Sequence, residues 1–168
     1  VADGLALWEK IMAAGKSQGI KACGYRAIES LRLEKGYRAW AGEINTETNP
    51  YEAGLGFAVS LKKDNFHGKA AAVAAKANLT RKLVAITFDD ITCVPFGSEP
   101  IRIGEKIVGR IKSGGQGYTI KKAIAYAYLP ITQSEVGTNV DVELFGTWRS
   151  GVICAEPLFD PTNERIKA

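Results

Sequence analysis

Residues 31–59 read Leu-Arg-Leu-Glu-Lys-Gly-Tyr-Arg-Ala-Trp-Ala-Gly-Glu-Ile-Asn-Thr-Glu-Thr-Asn-Pro-Tyr-Glu-Ala-Gly-Leu-Gly-Phe-Ala-Val. Within this stretch a helix runs out, Gly36 stops it, and an aromatic-rich crossing around Tyr37 and Trp40 leads to Pro50. Glycine ends helices because it accepts the left-handed conformation, and proline suits a first helical turn because its missing N–H is not needed there. The segment predicts a helix over residues 27–35, a short helical stretch over 50–53 closed by Gly54, and then a strand in which Phe57, Val59 and Leu61 alternate with small or polar residues.

Upstream, Asp3 is placed to cap an amphipathic helix with Leu5, Trp8, Ile11, Met12 and Gly15 on one side, and Gly19 is placed to end it. Residues 20–23 form a short strand candidate that leads into Gly24-Tyr25-Arg26 and the second helix. Downstream, residues 68–76 are an alanine-rich run of high helix propensity, broken at Asn78. The texture then changes. Alternating apolar runs occupy residues 83–88, 106–111, 121–129, 139–145 and 147–154, with no helix expected after Leu79. Turns at Pro95-Phe96-Gly97, Gly114-Gly115-Gln116-Gly117 and Phe145-Gly146-Thr147 separate them. Short strands at this spacing predict a small antiparallel barrel or sandwich. The expected organisation is an α/β segment over 1–78 and an all-β domain over 79–168.

Composition narrows the class. Hydrophobic residues make up 46% and charged residues 24% of 168, which is ordinary for a globular chain. No apolar run approaches the roughly 20 residues that span a bilayer, and Val1-Ala2-Asp3-Gly4 has neither the basic start nor the apolar stretch of a secretory leader. The three cysteines, Cys23, Cys93 and Cys154, are far apart and form no Cys-x-x-Cys pair. A single histidine cannot complete a zinc site with them, so they read as buried free thiols in a reducing compartment and no metal is expected. The net charge of +4 is spread over short basic pairs beside apolar runs, a solvated face more than a nucleic-acid surface.

Few residues offer acid–base chemistry. His67 sits where a loop meets the alanine-rich helix and reads as a loop residue; without a second histidine there is no triad to build. Lys112-Ser113 precedes its glycines where a phosphate loop needs them to follow, so residues 109–117 read as a hairpin turn. Gly54-Leu55-Gly56 lacks the third glycine of a dinucleotide fingerprint, and Asn78-Leu79-Thr80 reads as an interdomain turn. Spacing alone pairs Glu29 with Arg32 or Arg26, and Glu34 with Arg38, as surface ion pairs contributing roughly 0–1 kcal/mol each.

The quoted stretch and its surroundings resemble the folate-binding aminomethyltransferase family, the T-protein of the glycine cleavage system, and above all its counterpart in dimethylglycine and sarcosine dehydrogenases. Residues 24–36 are similar to the family's Gly-x-Arg-Asp-Ser-Leu-Arg-Leu-Glu-x-Gly segment, with Glu29 where Asp is usual; residues 48–55 resemble its Thr-x-Pro-x-Glu-Ala-Gly-Leu. Residues 64–69 resemble the Asp-Phe-x-Gly-Lys step, residues 109–128 a barrel segment, and residues 157–166 the tail of dimethylglycine dehydrogenases.

The resemblance implies the C-terminal part of a three-subdomain cloverleaf around a tetrahydrofolate channel, in which a one-carbon unit passes from an amine-derived iminium to the folate. By it, Arg26 matches the folate-contacting arginine, and Tyr25 is a weaker candidate beside it. No catalytic residue is expected in this chain. The family's catalytic Asp, its Tyr-x-Gly-Glu-x-Gly-x-Glu segment and the FAD domain of the dehydrogenases have no counterpart here, and on that account the chain is expected to be a fragment, inactive alone. Folate, a small amine-derived substrate and a flavin domain or subunit are the expected partners, with neither nucleic acid nor membrane among them. The expected location is cytoplasmic, or the mitochondrial matrix in a eukaryote. A non-catalytic module that docks onto a flavin domain is the alternative.

Overall fold

The structure is a computed structural model, and it describes residues 2–168. Helix α1 (Gly4–Gly15) runs into a single 3-10 turn (Lys16–Gln18), closed by Gly19 in the left-handed conformation. Asp3 occupies the N-cap position without a side-chain hydrogen bond. The apolar side of α1 is uncovered, with Leu5, Trp8 and Ile11 all exposed. Residues 20–23 carry no strand, because four extended residues without a partner have no ladder to join.

Helix α2 (Tyr25–Lys35) begins after an extended Gly24 and ends at Gly36, whose φ of 73° lets its N–H reach the Arg32 and Leu33 carbonyls. Residues 37–55 then cross the barrel as linked turns. The expected helix at 50–53 is one such turn. Leu55 N–H donates to Pro50 O, while the Asn49 side chain accepts from Tyr51 and Glu52 N–H and ties the segment locally. The expected strand around Phe57 is instead a 3-10 turn (Gly56–Ala58) with Phe57 exposed. Helix α3 (Lys69–Ala77) follows, as its alanine content predicts.

Six strands close into an antiparallel barrel: β1 (Arg81–Phe88), β2 (Pro100–Ile103), β3 (Lys106–Gly117), β4 (Lys122–Pro130), β5 (Asn139–Leu144) and β6 (Thr147–Cys154). The order around the barrel is β1-β4-β3-β2-β5-β6, and β6 returns to β1 through Ile86 opposite Ile153. The interior is filled by side chains such as Ile86, Phe88, Ile101, Ile111, Leu129, Val142 and Ile153. Helix α4 (Glu164–Lys167) is a single turn beyond the barrel, where no helix is expected.

β4 is buried along almost its whole length because both of its faces are covered. Ala123, Ala125, Ala127 and Leu129 point into the barrel. Ile124, Tyr126 and Tyr128 form, with Leu83, Ala85 and Leu33 of α2, a second apolar cluster outside it. This cluster seats α2 on the barrel wall, and that seating defines the site described next.

Residues 114–117 are strand, not the expected hairpin turn; the turn lies at 118–121. Their glycines serve close approach. A Cβ at Gly114 would lie 2.5 Å from Pro95 O, and one at Gly115 would lie 2.6 Å from Leu33 Cδ1. β3 thus lets the 93–97 loop and α2 come down onto it from two directions. Cys93 is buried as expected, while Cys154 is half-buried and Cys23 is exposed.

Candidate ligand cavity between helix α2 and the barrel

Where the N-terminal half of α2 rises off β3, a cavity of about 580 Å³ opens. Its walls are Arg26, Glu29 and Ser30 of α2, the Gly114–Gly115–Gln116 backbone of β3, Tyr118, and Phe96 from the loop between β1 and β2. The volume falls in the range of about 300–1,000 Å³ usual for sites that take a small organic ligand.

The walls are fixed by two bonds that cross long sequence distances and one that is local. Ser30 Oγ donates to Gln116 O at 2.5 Å, Gln116 Nε2 donates to Ile91 O at 3.2 Å, and Tyr118 OH donates to Gln116 Oε1 at 2.5 Å. At the far end of α2, Glu34 is 1% exposed and its Oε1 accepts from Thr119 and Ile120 N–H. Its Oε2 has no hydrogen-bond partner among the described residues. The expected Glu34–Arg38 pair does not form, because Gly36 ends the helix between them and turns Arg38 away from the helical face. Arg38 instead pairs with Glu156 at 2.6 Å, below the ring of Tyr126.

Beneath the cavity lies a buried ionic knot. Arg32 contacts Glu29 at 2.9 Å, as the spacing predicts, and also Glu43 at 2.6 Å, which spacing does not reveal. Glu43 accepts further from Ala39 N–H and from Ser113 Oγ, and Tyr128 OH donates to its main-chain carbonyl. Burial opposes the charge on Glu43, yet the hydrogen bonds from Arg32, Ala39 and Ser113 together outweigh it and hold its carboxyl below the usual range. Glu156 goes the other way: burial pushes its carboxyl up despite Arg38.

Of the residues singled out in the sequence, Arg26 stands in the first turn of α2 and lines the cavity, making no hydrogen bond or ion pair with the described residues. Tyr25, at the first position of the helix, is 73% exposed and stands outside the lining. His67 is an exposed turn residue remote from this cavity. Ser30, Phe96 and Gln116 are lining residues that sequence reasoning missed. The one signal that could have flagged any of them is the apolar aromatic inside the Pro95-Phe96-Gly97 turn. The cavity offers one uncommitted guanidinium, a carboxylate already engaged by Arg32, polar backbone and aromatic edges. That donor set suits recognition of a planar, hydrogen-bonding ligand; it contains no acid–base pair.

The pattern of known proteins that share this chain's features decides the family. The model of the GCVT N-terminal domain matches residues 1–63, and that of the glycine cleavage T-protein C-terminal barrel domain matches residues 81–160. The chain belongs to the glycine cleavage T-protein, or aminomethyltransferase, family.

Among its relatives, the mitochondrial dimethylglycine dehydrogenase of Homo sapiens is 44% identical over 98% of this chain, and the match spans 20% of that protein. The aminomethyltransferase of Symbiobacterium thermophilum is 39% identical over 97% of the chain, spanning 44% of that protein. A crystal structure of the glycine cleavage system aminomethyltransferase T from Bartonella henselae superimposes with a TM-score of 0.83 at 26% identity, covering 95% of this chain and 45% of that one. The chain therefore spans a fifth to under half the length of the relatives it matches. As an aminomethyltransferase-type chain it has the barrel expected from its sequence, and among the described residues no helix is long and apolar enough to cross a membrane.

Proposed function

We propose that the chain forms one wall of a tetrahydrofolate site in an aminomethyltransferase module of a dimethylglycine- or sarcosine-oxidising flavoprotein. The module passes a one-carbon unit from an amine-derived iminium to the folate. The observation that carries this reading is Arg26: an exposed guanidinium without a partner among the described residues, on the wall of a cavity of ligand size, in a chain of this family. A guanidinium offers several donors in a fixed plane, which suits a heteroaromatic edge or a carboxylate. Tyr25, exposed one residue earlier and outside the cavity lining, is a weaker candidate beside it. Residues 1–78 belong to the folate-binding α/β region in this reading and residues 79–168 to the barrel, while FAD sits on a domain outside the span of this sequence. This chain supplies ligand contacts and no catalytic group.

Titration with 5-formyltetrahydrofolate tests the assignment. Arg26→Ala weakens binding by about 1.5–3 kcal/mol, the scale of a charge-assisted hydrogen bond, and leaves the melting temperature where it was. A lower melting temperature with unchanged affinity contradicts the ligand role and makes Arg26 structural.

The second reading, a docking module for a flavin domain, is favoured by the uncovered apolar side of α1, where Leu5, Trp8 and Ile11 are all exposed. Failure to bind any reduced folate, together with association with a flavin domain through α1, selects it.

A further inference from the structure

We infer that Phe96 and Phe145 form an aromatic lip on the α2–barrel cavity, Phe96 packing against the aminobenzoyl ring of a reduced folate while Phe145 holds Phe96 in place. The inference rests on the folate reading above and adds the part of the ligand that the lip recognises.

Phe96 lines the cavity and is nevertheless 79% exposed; Phe145, at the tip between β5 and β6, is 88% exposed. Their ring centroids are 5.9 Å apart at 76°, an edge-to-face contact. Two phenyl rings that meet each other in water and bury almost nothing else add little to the fold.

The backbone argues the same way. Phe145 has φ of +50° and Gly146 +77°, the two left-handed positions of a tight hairpin turn that asparagine–glycine or aspartate–glycine fills without strain. A bulky side chain is disfavoured at such a position, and here it gains no burial in exchange.

Phe96 is held on a fixed backbone. The Glu99 carboxylate accepts from Phe96 N–H at 2.7 Å and from Gly97 N–H at 2.8 Å. The absence of a side chain at Gly114 keeps Pro95 close against β3. The exposed ring is therefore presented on a held backbone, in a cavity lining that it shares with Arg26. A ligand that joins a hydrogen-bonding heteroaromatic ring to a second, plain aromatic ring matches a cavity whose lining presents an exposed guanidinium at Arg26 and an exposed aromatic ring at Phe96. Phe96 is the contact residue in this arrangement, and Phe145 is a positioning residue.

Saturation-transfer NMR on the whole chain tests the lip with two probes: 5-formyltetrahydrofolate, and pterin-6-carboxylate, which lacks the aminobenzoyl ring. The aminobenzoyl protons should receive strong saturation from the unaltered chain. Phe96→Ala should weaken 5-formyltetrahydrofolate binding about 3- to 10-fold, the range of an aromatic contact, and should leave pterin-6-carboxylate unaffected. Phe145→Asn should weaken the same probe more mildly while raising the melting temperature by about 2–6 °C through relief of the left-handed strain, a combination that a merely structural residue does not give. If Phe96→Ala binds both probes as the unaltered chain does, or loses both equally, the lip is wrong and the folate site stands. If the unaltered chain binds neither probe, the folate reading falls and the lip with it.

Discussion

Leu33→Ala should lower the free energy of unfolding by about 2–5 kcal/mol, the cost of emptying a filled core position that can collapse only partly. Leu33 is 1% exposed and belongs to the cluster that joins α2 to β1 and β4 through Leu83, Ala85, Ile124, Tyr126 and Tyr128. Tyr126 OH also donates to Leu33 O at 3.0 Å, so the helix is anchored by main chain and side chain at one point. Denaturant unfolding followed by circular dichroism checks the figure. A loss within the roughly 0.5 kcal/mol typical of surface changes would mean that α2 is not seated as described, and that the cavity beside it has no fixed wall.

Glu43→Ala should cost about 3–5 kcal/mol, because removing one partner of a buried pair strands the other. Glu43 has no exposed side-chain surface, and its loss leaves Arg32 with Glu29 and a long bond to Tyr37 O, while Ala39 N–H and Ser113 lose their acceptor.

The pH dependence gives the change a second signature. The folded-state carboxyl of Glu43 lies below the ordinary value of 4.5, so its contribution is fully present above that value and is lost as the pH falls through the depressed one. Glu156 has the opposite sign. Its folded-state carboxyl is raised by burial, so its contribution is present at low pH and is lost as the pH rises through the raised value. Unfolding measured from pH 3 to 7 should therefore show the Glu43 variant losing the acid-side rise of the parent chain. A variant whose stability climbs with pH as steeply as the parent's would show that Glu43 carries no bound-charge stabilisation.

The barrel was legible because alternation survives where one face of a strand meets the interior, as in β5 and β6, and because β1, buried on both faces, reads as an unbroken apolar run; all three lie close to where their patterns put them. β2 was not, because it is only four residues long and opens on Pro100, tolerated as a strand's first residue though it reads as a breaker. The glycines at 114–117 misled for a related reason. A glycine kept for left-handed geometry and one kept for close approach look the same in a sequence, and here approach by Pro95 and Leu33 is the cause. The Glu34–Arg38 pairing failed because four-residue spacing means one face only while the helix lasts, and Gly36 ends it first. Arg26, which lines the cavity, was singled out through resemblance. Ser30 and Gln116, 86 positions apart, meet only because α2 packs on β3, and no local pattern encodes that meeting.

The central claim, a folate-contacting wall between α2 and β3, is tested most directly by titrating the isotope-labelled chain with 5-formyltetrahydrofolate and mapping amide shifts. The account predicts perturbation concentrated in residues 26–33, 94–97 and 114–119, with residues 104–106 and 134–137 at the other loops unmoved. Shifts confined to α1 or to the remote loops, or no shifts up to millimolar ligand, would contradict it.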